Sequence, residues 1–452
     1  MRSAVLSILA TILALAATPA SAQLLGGGVP GLGGAPLRDT VGQLDAPAPS
    51  TLREALDPAE GLLSAARGLP VEAISDLRRR TVDRLLRRHA DVVDADEAGQ
   101  PVVRGEVLAL APAPAALAAA EAAGFQVARR SDLTGLGLEA VVLKPPRGMS
   151  ARDAVRRLRG MDPGGTYDFN HLFQTSGAVG KAAAAPNGAA PRARGARLGL
   201  VDGSAAARHP ALRGARITQR AFGPGGARVT DHATAVASLM VGTAGRFHGA
   251  APGGDLLVAD VYGPTPVGGS AEAIARGLSW LAQNQAAVVN ISLVGPANRL
   301  LEAAVSAMLA RGGIVVAAVG NDGPAAPPLY PAAYPGVVAV TGVDARRNAL
   351  LEAGRGDQVD LAAPGADMAA AGAAGGYLAV RGTSFAAPLV AGAIARQAAV
   401  LGPRQALDAV RRSAVDLGRP GRDPVYGRGL VVFEMRVEPA QVGARALALR
   451  GP

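Results

Sequence analysis

The sequence predicts an α/β protein: a mainly parallel sheet covered by helices on both faces, preceded by a small α+β unit. Three observations carry this. In the second half of the chain, short apolar runs such as "RLGLV", "VVNISLV" and "GGIVVAAVG" alternate with helical segments, as strands buried on both faces do. Residues 102–174 read strand, helix, strand, strand, helix, strand, the order of a split βαβ sandwich. Between the two blocks runs a stretch rich in Ala, Gly and Pro, without periodicity, which reads as an exposed linker.

The elements follow in order. "MRSAVLSILATILALAATPASAQ" has one basic residue, an apolar run and an Ala20-Ser21-Ala22 ending, the pattern of a signal peptide cleaved after Ala22. Its apolar run is short for a membrane span, and no later segment of the sequence reaches the roughly 18 unbroken apolar residues that one needs. Export to the periplasm or beyond is therefore expected; an uncleaved anchor is the alternative. Residues 23–50 are Gly/Pro-rich linker, and 51–99 hold a helical segment with Arg on its outer face. The sandwich occupies 100–175. Within it "VVRGEVLAL", "FQVARRSDL", "LEAVVLKPP" and "GTYDFNHLFQ" read as strands. "PAALAAAEAAG", with a Gly stop, and "SARDAVRRLRGM", with a Ser cap, read as helices. The linker is 176–195, the large α/β domain 196–435, and a tail 436–452 is too short for a further domain.

With 452 residues the chain has room for two or three domains. Aromatics are only 3%, so the core is built from Ala, Val and Leu. The formal charge is +10, yet all 46 basic residues except Lys144 and Lys181 are Arg. They are dispersed and lack interleaved aromatics, which argues against nucleic acid as a partner. The absence of cysteine excludes disulfides, zinc thiolates and a cysteine nucleophile.

In a parallel α/β sheet the chemistry sits at the carboxyl ends of the strands. Asp202 follows "RLGLV", where a carboxylate is costly without a partner; a turn or cap role is the plain alternative. His232 opens the small-residue helix "HATAVASLMVG", as a base or as a satisfied core His. Asn321 ends "GGIVVAAVGN", as an oxyanion donor or as a turn residue. Ser384, in "RGTSFAAPLVAG", stands at a helix mouth, as a nucleophile or, with Thr383, as a cap. Together they are the parts of acyl-transfer chemistry. Serine is a poor nucleophile until a base takes its proton; imidazole accepts it and returns it to the leaving amine. A carboxylate fixes the tautomer, and an amide N–H₂ beside a backbone N–H binds the oxyanion. The chain order Asp, His, Ser is one of three unrelated orders that build this triad.

"RLGLVDGSAAARHPAL", "HATAVASLMVG", "GAAPGGDLLVADVY", "VVNISLVGP", "VVAAVGNDGP", "VDLAAPG" and "RGTSFAAPLVAG" together resemble the subtilase family of serine peptidases. The resemblance runs from about Arg197 to "GRDPVYGRGLV". It implies a subtilisin-like three-layer fold and secreted endopeptidase activity. It also implies an Asp202, His232 and Ser384 triad with Asn321 in the oxyanion hole. The substrate, an extended polypeptide, would pair with Ser292, Leu293, Val294 and Gly295 by strand addition, with Val319 and Gly320 nearby. The 51–99 and 100–175 segments resemble a propeptide that chaperones and then inhibits the enzyme, with the "NHLFQTSG" region in the cleft and self-cleavage in the linker. No cofactor is expected. The family often binds calcium, but no compact Asp-rich loop appears in the sequence.

The chain departs from the family at several points. Ala233 follows the His, Gly203 follows the Asp, and residue 381, usually small, is Arg. Val294 and Val319 replace smaller residues and are expected to narrow the first specificity pocket toward small or slender apolar side chains. A silenced, purely binding member of the fold is the alternative reading; an α/β esterase is disfavoured by the triad order and the missing G-x-S-x-G elbow.

Overall fold

The computed structural model describes residues 71–180 and 196–444, with side chains from 78 onward in the first segment. The expected signal peptide, the first linker, most of the second linker and the end of the tail lie outside the described residues, which all belong to one compact unit.

The N-terminal part begins with α1 (Val71–Arg88) and β1 (Val93–Ala95), followed by β2 (Pro101–Leu110), α2 (Pro114–Ala122), β3 (Gln126–Ser131), β4 (Ala140–Lys144), α3 (Ala151–Met161) and β5 (Thr166–His171). The predicted βαββαβ order is present. β1, an extra strand, pairs with the start of β2 inside what the sequence reads as helical segment. The sheet runs β1-β2-β4-β3 with β5 also on β2, all antiparallel. Period-two alternation gives it two apolar faces. Val107, Ala109, Val141 and Leu143 pack under α2 and α3. Leu108, Ala140 and Val142 turn the other way, into the core of the large domain.

The chain then makes β6 (Gln174–Thr175) and β7 (Ala178–Val179). The exposed-linker reading of 176–180 is corrected here: Ser176 and Ala178 are buried, because this segment lies along the large domain instead of spanning solvent.

The large domain contains β8 (Leu198–Asp202), β9 (Arg216–Ala221), α4 (Asp231–Val241), a small hairpin β10 (Thr243–Ala244) and β11 (Phe247–His248), then β12 (Asp255–Asp260) and α5 (Ala271–Gln283). It continues with β13 (Val288–Ile291), β14 (Leu293–Val294), α6 (Arg299–Ala310), β15 (Ile314–Ala318), β16 (Val338–Val343), β17 (Val359–Pro364), β18 (Met368–Ala371), β19 (Tyr377–Arg381), α7 (Thr383–Leu401) and α8 (Pro403–Arg412). Seven strands form one parallel sheet in the order β17-β16-β15-β13-β8-β12-β9. Alternate residues serve opposite faces: Leu198, Leu200 and Val258 meet α4 and α7, and Val201, Leu257 and Ala259 meet α5 and α6. Each such Leu or Val, fully buried, contributes roughly 1.5–3 kcal/mol. α7 has the length and apolarity of a membrane span, but it is the core helix of this layer, buried from Thr383 to Ala395.

The predicted boundary at 435 also moves. Val437, Val442 and Ala444 pack in a core cluster with residues of β18 and β19, so part of the tail belongs to the domain.

From β8 the chain builds outward to β9 and β12 on one side, then crosses to β13 on the other. That reversal leaves a crevice at the carboxyl ends of β8 and β13. Asp202 closes β8 and Ser292 follows β13.

Candidate active site

Asp202 is fully buried, and its cost is met by two donors. Oδ1 accepts from the Gly203 N–H at 2.7 Å, and Oδ2 lies 2.8 Å from His232 Nδ1. Gly203 is small for a reason: a Cβ there would come within 3.0 Å of Thr230 Oγ1 and 3.1 Å of its methyl. Thr230 caps α4 by accepting the Ala233 N–H at 3.0 Å, which fixes the first turn that carries His232. Ala233 is fully buried within this capped turn.

Ser384 lies in the first turn of α7, but neither it nor Thr383 caps the helix; the cap position is Gly382, with no side-chain cap bond. Thr383 Oγ1 instead accepts the Gly320 N–H at 3.2 Å. Pro388, inside the helix, has no N–H to offer the Ser384 carbonyl four residues earlier. Ser292 Oγ donates to that carbonyl at 2.9 Å, and Asn290 Nδ2 supports Ser292 Oγ at 2.9 Å. Ser384 Oγ in turn donates to the Ser292 carbonyl at 3.1 Å. Thus the strand end after β13 is laced to the turn that carries Ser384.

Asn321 faces the same point. Its Oδ1 accepts the Thr383 N–H at 3.1 Å, which leaves Nδ2 aimed outward. Nδ2 donates to the backbone carbonyl of Ser176 at 2.6 Å, and the Ser384 N–H donates to that same oxygen at 3.3 Å. Two donors on one carbonyl are the arrangement an oxyanion hole requires. Gly382, at φ 135°, permits the approach: a Cβ there would meet Gly177 Cα at 2.8 Å and Ser176 O at 3.0 Å.

The segment around Ser176 crosses the site as an extended strand. β6 pairs antiparallel with β14, Leu293 opposite Thr175 and Val294 opposite Gln174. Upstream, the Phe173 N–H donates to the Gly269 carbonyl at 2.8 Å, and a Cβ at Gly295 would come 2.5 Å from the Phe173 ring. Downstream, β7 pairs antiparallel with β19. Leu293, Val294 and Gly295 therefore border an extended peptide, which is this chain's own. Val319, expected to narrow the pocket, packs its side chain into the core cluster with α5 and α6.

The N-terminal part is docked next to the site by polar contacts as well. Asp168 Oδ2 accepts the Arg299 N–H at 2.7 Å and Asn170 Oδ1 accepts the Glu272 N–H at 3.1 Å, so each occupies the N-terminus of a large-domain helix, α6 and α5. Buried Glu272 accepts from Ser131 at 2.9 Å and Arg129 at 3.3 Å. Arg78 of α1 lies 2.8 Å from Asp322, beside Asn321. Burial pushes the Asp322 carboxyl above its ordinary value, and Arg78 pulls against that rise.

Sequence reasoning missed Ser176 as the carbonyl held by Asn321 and Ser384, and Glu352 as the partner of Arg381. An Arg at a position that is usually small was a signal to look for a carboxylate, but it did not say which one. Among the described residues no group of three or more His, Asp or Glu is placed to hold a metal ion.

The peptidase S8 model, described as the Subtilase family, matches residues 195–429, just over half of the chain. The chain belongs to the subtilase family. Subtilisin DY of Bacillus licheniformis is 31% identical over 249 residues, covering 53% of this chain and 89% of that protein. Subtilisin Savinase of Lederbergia lenta is 35% identical over 190 residues, covering 41% of this chain and 69% of that one. In fold, this subtilase resembles the crystal structure of fervidolysin from Fervidobacterium pennivorans. The TM-score is 0.64 at 18% identity, over 80% of this chain and 63% of that one. The subtilase described here is a serine-type endopeptidase, and polypeptide is its substrate.

Proposed function

We propose that this subtilase is exported as a self-inhibited precursor and that its first substrate is its own Ser176–Gly177 bond. In this reading Ser384 is the nucleophile, His232 the base, Asp202 the residue that orients and charge-stabilises His232, and Asn321 with the Ser384 N–H the oxyanion hole. Residues up to Ser176 are the propeptide. One observation carries the reading: the Ser176 carbonyl sits between Asn321 Nδ2 and the Ser384 N–H, on a strand paired with β14.

Ser384 Oγ attacks the Ser176 carbonyl carbon as its proton passes to His232. The negative charge moves onto the Ser176 oxygen, where the two donors gain strength without reorganising. Collapse breaks the C–N bond, and His232 returns the proton to the Gly177 nitrogen. The resulting ester of Ser176 on Ser384 is hydrolysed by water, with His232 again taking and returning one proton. Asp202, bonded to Nδ1, keeps the imidazole tautomer that leaves Nε2 as the acceptor.

The uncut chain and the cut propeptide both block the cleft, since β6 occupies the strand where substrate would add. Export rests on the N-terminal pattern ending at Ala22. Expression of the chain from Gln23, with and without Ser384→Ala, followed by intact-mass measurement, tests the whole. The expected result is a fragment ending at Ser176 and one starting at Gly177 from the parent, and an uncut Ser384→Ala protein. If both chains stay whole under folding conditions, or both are cut alike, the reading fails.

A further inference from the structure

The space over Gly320 is filled by Leu329, a residue outside every motif. Gly320 lies next to Asn321, and so beside the gripped Ser176 carbonyl. With φ 96° it carries no side chain of its own, yet the space above it is taken: a Cβ there would fall 2.6 Å from Leu329 Cδ1 and 3.5 Å from Val294 Cγ1. The segment bearing Leu329 is fixed in place. Tyr330 and Gly295 exchange two backbone hydrogen bonds, both 3.0 Å, which clamp it beside the end of β14. Ser176 is small, and its Oγ is turned to Ser384 Oγ at 2.7 Å.

We infer that Leu329, with Val294 behind it, sets the substrate class of this subtilase: peptide bonds that follow Gly, Ala or Ser. This rests on the proposed catalytic roles, because the pocket is defined by the Ser176 carbonyl in the oxyanion hole. A bulky residue on the acyl side would have to displace Leu329 or pull its carbonyl out of reach of Asn321. Since misplacement at the reacting carbon costs rate as well as binding, the discrimination falls on kcat/KM. Leu329 is only half-buried, so its truncation opens the pocket without hollowing the core.

The test uses the processed enzyme and peptides that differ only in the acyl-side residue. Ala and Ser peptides are expected to exceed Phe and Leu peptides by at least about a hundredfold in kcat/KM. Leu329→Gly, or Leu329→Ala as the milder variant, should bring the large residues to within about tenfold of Ala. In the precursor, Ser176→Phe should stall cleavage, and adding Leu329→Gly should restore it. A fluorophosphonate probe on the same samples reports whether Ser384 is reactive. Labelled enzyme that prefers Phe, or whose preference Leu329→Gly leaves unchanged, overturns the role of Leu329 alone. Enzyme that takes up no label overturns the catalytic reading, and this inference with it.

Discussion

Ser176 and Ser384, 208 residues apart in sequence, bring their hydroxyl oxygens to 2.7 Å. Ser384 Oγ is also within 3.1 Å of the Ser292 carbonyl, to which it donates. The Ser384 hydroxyl proton is thus turned to a carbonyl, and Ser176 occupies another of its hydrogen-bonding directions. In the proposed attack that proton passes to His232 instead.

If Ser176–Gly177 is the bond cut, as proposed, the hydroxyl of Ser176 is expected to restrain its own cleavage. A neutral hydrogen bond is worth about 0.5–1.5 kcal/mol net, and about 1.4 kcal/mol is tenfold in rate. Ser176→Ala, equally small, should be processed about two- to tenfold faster in a time course of precursor loss. Slower processing would show that the hydroxyl assists instead.

Asn321 holds the Ser176 oxygen with Nδ2 because Thr383 N–H fixes its Oδ1. Asn321→Ala should keep the fold and lower turnover by about 10²–10³, a magnitude known from a protease of this same family. Asn321→Asp retains the acceptor but sets a carboxylate against the developing oxyanion, so its loss should be at least as large. Turnover of a small-residue peptide by the processed variants measures both.

Arg381 answers the question its sequence position raised. Its guanidinium meets Glu352 at 2.7 and 2.8 Å, with both side chains buried. The Glu352 carbonyl accepts the Gly323 N–H at 2.8 Å, so the pair ties the loop of Asn321 to the strand that leads into Ser384. Arg381→Ala alone strands a buried carboxylate and should cost about 3–5 kcal/mol. Replacing both residues by Leu should cost far less. Urea unfolding of the precursor in the Ser384→Ala background separates the two; equal losses would mean that the pairing is unimportant.

His209 sets an acid limit. Nδ1 accepts the Ala211 N–H at 3.1 Å and Nε2 lies 2.9 Å from the Gly376 carbonyl. This arrangement requires the neutral ring with its hydrogen on Nε2. Burial first, with a smaller push from Arg213, lowers its pKa below 6.5, against the bond to Gly376. The unfolded chain then binds the proton more readily, so stability is full above about pH 6.5 and falls as pH drops toward the lowered value. His209→Gln should flatten that part of the stability–pH curve. An unchanged slope would assign it to other groups.

The sequence by itself determined the elements and which residues were candidates for the chemistry. Doubly apolar runs force a covered parallel sheet, period-two alternation in residues 102–174 forces a small antiparallel one, and polar residues stand where the large sheet's strands end. Asp202, His232, Asn321 and Ser384 could be singled out as candidates because a carboxylate after an apolar run, a histidine and a serine at helix mouths and an amide at a strand end each need a reason. Only the tertiary structure decided what meets them. No local rule brings the Ser176 carbonyl to Asn321, pairs Glu352 with Arg381, or lays Leu329 over Gly320. Nor does one show that Ala178–Val179 is strand: the small residues of 176–180 look like linker because the neighbouring β19 supplies the hydrogen bonds that hold this segment. Such contacts join residues far apart in the chain, and their energy comes from packing and pairing that exist only once the chain has folded.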